Sequence, residues 1–235
     1  MILDIGPLPV ATVPVAGGGT FPVHRIYCVG RNYVEHAKEM GFTGREPPFF
    51  FLKPADAVVA VDEGDTGTMP YPTLTKDLHH EVELVVAIGE GGHNIAAADA
   101  MRHVFGYAVG LDMTRRDLQG EAKKLGRPWD IGKAFDRSAP IGPIRPAASC
   151  AVGESTTIAL DVNGAVRQQS TIGKLIWSVG EIIEHLSAAW QLAPGDLIFT
   201  GTPEGVAAVV EGDLLTATIG GGVGTLAIRI GGREG

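Results

Sequence analysis

Cysteine is scarce: Cys28 in an apolar run and Cys150 among small residues are the only two in 235 residues. Their number and separation exclude a disulfide framework and a thiolate metal site. Long hydrophobic runs are missing too, since no apolar stretch reaches the roughly 18 residues of a membrane helix. Met1-Ile2-Leu3-Asp4 lacks the basic start of a secretory signal. A cytoplasmic protein without membrane contact is therefore expected. Basic residues number 19 against 27 acidic ones, and the net charge of −8 argues against a general nucleic-acid or anionic-membrane surface. An anionic substrate would need locally placed cations. Internal repeats are absent.

Turn formers, by contrast, are plentiful. The 33 glycines and 15 prolines lie between short apolar runs rather than in one tract, which predicts many turns and many short strands. The length suits one large domain. Residues 1–20, broken by Pro7, Pro9, Pro14 and Gly17-Gly18-Gly19, suit an extended arm better than a core element. Residues 21–235 then form the single domain.

Along the chain, residues 25–29 read as a buried strand ending at Gly30. Asn32 is placed to cap a short helix over 33–40, with Gly41 as its stop. His36 and Glu39 share a face of that helix, an arrangement compatible with a solvated surface as well as with chemistry. The Pro/Gly-rich stretch after it suggests a hinged flap. Residues 49–53 resume a strand, and a lysine at its end, Lys53, is ordinarily snorkelled or exposed. Residues 84–88 are wholly apolar, as in a strand buried on both faces. Residues 96–103 suggest a short helix, and 105–111 a strand.

Thr114-Arg115-Arg116-Asp117 has the form of a capped helix start, the helix running to about Leu125 with Arg116 and Gln119 on one face. Lys133 stands alone in an apolar, Gly-flanked run, where a lysine is usually exposed. Residues 140–146 read as an irregular connector. Asn163-Gly164 between two alternating runs is a strong hairpin signal. Leu175, Val179, Ile182, Ile183, Leu186 and Trp190 repeat at helical spacing. A strand over 197–200 leads into Gly201-Thr202-Pro203-Glu204-Gly205, a turn able to present N–H groups and hydroxyls to a carboxylate.

The chemistry concentrates around His80-Glu81-Val82-Glu83-Leu84. Strand side chains alternate faces, so Glu81 and Glu83 point the same way, roughly 7 Å apart. Asp112 closes the next apolar run and lies beside them if the two strands are neighbours. At 4 Å and an effective dielectric of 20, each like-charged pair costs roughly 4 kcal/mol, so convergence demands bound protons or a bound cation. Carboxylates without cysteine or paired histidines point to a hard cation: Mg²⁺, with Mn²⁺ or Ca²⁺ also compatible.

Taken together, these segments are similar to the fumarylacetoacetate hydrolase family. The resemblance rests on Gly30-Arg31-Asn32-Tyr33 with His36 and Glu39, Phe51-Leu52-Lys53-Pro54, His80 to Leu84, Leu111-Asp112-Met113-Thr114-Arg115-Arg116-Asp117-Leu118-Gln119, Lys133 and Thr200-Gly201-Thr202-Pro203. It spans about Phe21 to Ile230 and is nearest to the acylpyruvate hydrolase branch. It implies an α+β, β-rich fold, a mixed β-sandwich roll with a short lid helix, usually dimeric, with one divalent metal per subunit. It assigns Glu81, Glu83 and Asp112 as metal ligands and His36 and Glu39 as a catalytic dyad. Arg116, Gln119 and Lys133 become substrate contacts, and Thr202 sits in the turn that receives a pyruvate carboxylate.

The expected activity is hydrolysis of a C–C bond in a 2,4-diketo acid, with fumarylpyruvate of gentisate breakdown as substrate. His36, held by Glu39, would activate water, while Gln119 and Lys133 would stabilise the oxyanion. Arg31, Arg45 and Lys53 are candidates for the distal carboxylate. The alternatives are an oxaloacetate decarboxylase or tautomerase using the same metal and enolate chemistry, and a metal-dependent binding protein without turnover.

Overall fold

The computed structural model of the chain describes Gly6, residues 9–34 and residues 45–233. Its strands, in chain order, are β1 (Thr12–Pro14), β2 (Thr20–Pro22), β3 (Ile26–Gly30), β4 (Phe49–Lys53), β5 (Val58–Ala60), β6 (Thr66–Tyr71), β7 (Leu78–His79), β8 (Val82–Ile88) and β9 (Val104–Leu111). There follow β10 (Thr114–Arg115), β11 (Ala139–Ile141), β12 (Arg145–Pro146), β13 (Thr157–Val162), β14 (Ala165–Thr171), β15 (Leu197–Phe199), β16 (Ala208–Val209), β17 (Leu214–Ile219) and β18 (Gly224–Arg233). Three α-helices are present among the described residues: α1 (Arg116–Lys124), α2 (Asp130–Lys133) and α3 (Val179–Ala189). None is long and apolar enough to cross a membrane.

An eight-stranded mixed sheet runs β4-β3-β15-β8-β9-β11-β5, with β12 also on β9, and a five-stranded sheet runs β14-β13-β17-β18-β6. This is the β-rich α+β roll that the family resemblance implies, built from the many short strands that the spacing of turns predicts. β8 is buried along its whole length. One face of it (Val82, Leu84, Val86, Ile88) joins the main core with Ile158, Leu160, Leu215, Leu226 and Ile228 of the second sheet. The other (Val85, Ala87) joins a smaller core with Cys28, Ala108 and Phe199. Glu83, two residues before Val85, belongs to that second face.

Several local expectations hold. Asn163 and Gly164 both take positive φ, 54° and 78°, as a two-residue hairpin turn between β13 and β14 requires. The helical repeat expected from Leu175 to Trp190 is realised over Val179–Ala189, which starts after Ser178 in a capping box that the sequence reading did not single out: Ser178 accepts from the Glu181 N–H and the Glu181 side chain returns to residue 178.

Other expectations give way to tertiary contacts. Residues 94–97 hydrogen-bond to α3 through Asn94 N–H to the Ser187 carbonyl, Ile95 N–H to Ser187 Oγ and Ala97 N–H to Glu184. Only Ala100–His103 is then helical, as a short 3₁₀ turn. Thr114 does not cap α1; it lies in β10, and its hydroxyl donates to Glu81 Oε1 at 3.2 Å and to the Asp112 carbonyl at 3.1 Å. Residues 140–146 are not irregular throughout, because β11 pairs with β5 and β9, and β12 pairs with β9.

The N-terminal stretch forms a β1–β2 hairpin whose Val13 is fully buried in the smaller core. Asn32 uses its amide on Trp177 and on the Thr200 carbonyl, at 2.8–3.0 Å; most of the helix expected over 33–40 lies outside the described residues.

Candidate active site

The site forms where β8 begins and β9 ends. Val82 opposes Leu111 in the antiparallel register, and the Asp112 N–H continues it by donating to the Glu81 carbonyl at 2.9 Å. Directly opposed residues share a face, so Asp112 stands beside Glu81, and Glu83 follows on the same side. One oxygen from each of Glu81, Glu83 and Asp112 lies within 4.8 Å of the others, and all three residues are buried. The neighbouring strands that this convergence needs are thus present.

Cations gather round two of the three. Lys133 is 2% exposed, and its Nζ lies 2.9 Å from Glu81 Oε2 and 2.6 Å from Asp112 Oδ2. Burial alone would lower the Lys133 pKa, but the charges of Asp112 and Glu81 outweigh it and hold it above its ordinary value. Lys53, also 2% exposed, sits 2.8 Å from Asp112 Oδ1 and donates to the Met113 and Lys133 carbonyls. Arg116 pairs with Glu81 and donates to Gln119 Oε1. Both lysines are therefore buried, contrary to the usual fate of lone lysines. The attraction of carboxylates offsets their desolvation.

Glu83 is different. Its Oε2 accepts the Gly201 N–H at 2.7 Å. Burial, then the charges of Asp112 and Glu81, push its pKa well above the usual carboxylate range. Gly201 has φ of 102°, and an added Cβ would come within 2.7 Å of Asn32, so this approach to Glu83 depends on glycine. A buried carboxylate so poorly compensated, inside an all-oxygen donor set, fits a hard divalent cation. These three residues could hold such a cation.

The triad opens onto a cleft also lined by Arg31, Arg116, Gln119, Lys133 and Thr202, with Phe51 and Trp129 as apolar wall. Trp129 packs edge-on against Phe49, 5.0 Å between ring centres, and the Arg31 guanidinium lies 4.7 Å over Phe49. Lys53 does not reach this lining; it lies behind Asp112. Arg45 pairs with Glu181 and stacks 4.3 Å over Trp177. His36 and Glu39 lie outside the described residues.

Sequence reasoning passed over Trp129, and it passed over Gln168, which is fully buried and bonded to Thr202. Neither carried a signal beyond an aromatic after proline and a glutamine on a hairpin.

Fold and site together define a class: a strand-rich roll carrying a buried cluster of three carboxylates beside a cleft rimmed with cations. The chain belongs to the fumarylacetoacetate hydrolase family, matching the family model described as fumarylacetoacetate (FAA) hydrolase C-terminal over residues 25–231. It is 44% identical over 189 residues to the fumarylpyruvate hydrolase of Ralstonia sp, covering 80% of this chain and 95% of that one. It is 40% identical over 202 residues to the oxaloacetate tautomerase YcgM of Escherichia coli K12, covering 86% and 90%. A crystal structure of fumarylpyruvate hydrolase from Pseudomonas aeruginosa in complex with Mn²⁺ and pyruvate superposes with a TM-score of 0.95 at 54% identity, covering 97% and 99% of the two chains.

Proposed function

We propose that this chain is a divalent-cation-dependent acylpyruvate hydrolase that cleaves fumarylpyruvate to fumarate and pyruvate. The observation that carries the reading is the buried triad of Glu81, Glu83 and Asp112 opening onto a cleft lined by Arg31, Arg116, Gln119, Lys133 and Thr202. Its support among relatives is the fumarylpyruvate hydrolase bound to Mn²⁺ and pyruvate. Mg²⁺ is the cation we assign, with Mn²⁺ as a competent substitute; when bound it supplies Lewis-acid polarisation of the 2-oxo acid.

The protein's own groups do the rest. Thr202 receives the carboxylate of the pyruvate half. Arg116, held against Glu81 and Gln119, keeps those two side chains oriented and adds positive potential. His36, steadied by Glu39, takes a proton from water, whose oxygen adds to C4. Gln119 and Lys133 stabilise the negative oxygen that develops there. The C3–C4 bond then breaks, its electrons pass to the pyruvate half, and protonation at C3 gives pyruvate. Arg31 is favoured for the distal carboxylate because it lines the cleft, whereas Arg45 and Lys53 do not. The same reading places the enzyme in gentisate breakdown in the cytoplasm, as a homodimer. Sedimentation at twice the 24.6 kDa chain mass checks the dimer.

The deciding assay follows the loss of diketo-acid absorbance and the release of fumarate, with Mg²⁺ and with chelator. Fumarate release that chelator abolishes is expected. His36→Ala should remove hydrolysis while leaving cation binding intact. The identity to an oxaloacetate tautomerase favours one second reading: interconversion of oxaloacetate tautomers without any release of fumarate would establish it instead.

A further inference from the structure

Gln168 lies on β14, in the sheet across the main core from the triad, and its side chain makes four hydrogen bonds. Oε1 accepts the Val82 N–H at 3.1 Å and faces His80 Nδ1 at 2.9 Å. Nε2 donates to the Pro203 carbonyl and to Thr202 Oγ1, each at 2.8 Å. Two of these partners are backbone groups, and they settle which way round the amide sits. An N–H only donates and a carbonyl only accepts, so the oxygen faces Val82 and the nitrogen faces Pro203.

With that orientation fixed, the second Nε2 hydrogen points at Thr202 Oγ1. The hydroxyl oxygen is the acceptor in that bond, and its own proton is left to point elsewhere. Thr202 lines the cleft beside the triad, and no other hydrogen bond of its Oγ1 is formed among the described residues. The same fixed amide makes His80 the donor from Nδ1. Gln168 thereby joins the 200–205 turn to the segment that carries Glu81 and Glu83.

We infer that Gln168 is a positioning residue which makes the Thr202 hydroxyl a one-way donor, aimed at a carboxylate oxygen of the ligand in the cleft. The inference rests on the proposed function only in taking that ligand to be a 2-oxo acid. A hydroxyl free to rotate would present a lone pair to the carboxylate as readily as a proton. By occupying one of the hydroxyl's two lone pairs, Gln168 disfavours that repulsive choice before the ligand arrives.

Pyruvate with saturating Mn²⁺ is the probe. Gln168→Glu is nearly isosteric and keeps the acceptor for Val82 and His80. When ionised it forces Thr202 to donate backwards, out of the cleft. Gln168→Met removes the donor without adding charge and serves where the glutamate variant fails to fold. In either variant the pyruvate Kd is expected to rise about tenfold, roughly 1.4 kcal/mol, with the Mn²⁺ Kd changed less than twofold. Thr202→Val should match that loss and Thr202→Ser should largely avoid it.

Combining Gln168→Met with Thr202→Val should cost no more than either alone, since the first acts through the second. Unchanged pyruvate affinity, a parallel loss of Mn²⁺ affinity, or losses that multiply in the double variant would each overturn the assignment. Fumarate release is measured on the same wild-type sample. Pyruvate binding without fumarate release overturns the hydrolase reading alone, whereas hydrolysis with unaltered pyruvate affinity in the variants overturns this one alone. A wild-type protein that does not bind pyruvate overturns both.

Discussion

Glu83 is the member of the triad whose charge is least compensated. Lys133 neutralises Glu81 and Asp112, with Arg116 on the first and Lys53 on the second, whereas Glu83 is met by the Gly201 N–H. A cation in the site therefore gains most from Glu83. Replacing it with the neutral isostere, Glu83→Gln, is expected to weaken Mn²⁺ or Mg²⁺ binding at least about 100-fold, beyond the range for groups that merely support a ligand. In chelator the variant should melt no lower than the wild type, because the amide keeps an oxygen for the Gly201 N–H and replaces a carboxyl whose ionised form burial disfavours. Calorimetric titration with each cation checks the first point, and an unchanged titration would remove Glu83 from the ligand set. The shared face of Glu81 and Glu83 was legible from their spacing alone. The position of Lys53 was not, because a strand-end lysine looks the same in sequence whether its Nζ meets water or Asp112.

Helix α1 shows how a local motif can be correct in outcome and wrong in cause. The helix begins at Arg116, one residue later than a Thr114 cap would set it, while Thr114 turns its hydroxyl to Glu81 and Asp117 serves instead as an anchor for the preceding loop. Asp117 accepts from Thr75 Oγ1 at 2.6 Å, Lys76 N–H at 3.0 Å and Leu118 N–H at 2.9 Å. Slight burial pushes its carboxyl up, but these hydrogen bonds outweigh it and hold the pKa below the ordinary 3.8. The unfolded chain therefore binds the proton more readily. The stabilisation is complete above pH 3.8 and is lost as pH falls through the folded value. Asp117→Ala is expected to cost about 1–2 kcal/mol at neutral pH, read from urea midpoints, with the gap to wild type closing in acid; a gap constant with pH would refute it. Elements set by local chemistry, such as the Asn163-Gly164 hairpin and the apolar repeat of α3, were legible in the sequence. Those decided by distant partners were not: residues 96–103 are diverted by Ser187 and Glu184, and α2 needs Gly132 because a Cβ there would sit 2.8 Å from Gln119.

The site is assembled from the whole molecule: Glu81 and Glu83 at the start of β8, Asp112 after β9, Lys133 from α2, and Thr202 from a turn tied to the second sheet through Gln168. The unfolded chain has no such assembly, so a bound cation stabilises the native state by linkage. The sign of its pH dependence follows from Glu83. Burial first, then Asp112 and Glu81, raise its pKa well above the ordinary 4.5, so the cation-free native state holds a proton that the unfolded chain releases. The contribution of Glu83 is complete below pH 4.5 and is lost as pH rises through the raised folded value, which makes the cation-free protein less stable toward neutrality on this account. A divalent cation replaces that proton. At 100 times its Kd it adds about 2.7 kcal/mol, or about 5–10 °C in melting temperature for a chain of this size. The gain should shrink as the buffer is taken from pH 7 toward pH 5, because protons and cation compete for the same carboxylates. Thermal melts with Mn²⁺ and with chelator across that range test it, and a melting temperature indifferent to Mn²⁺ at neutral pH would show that the triad holds no cation.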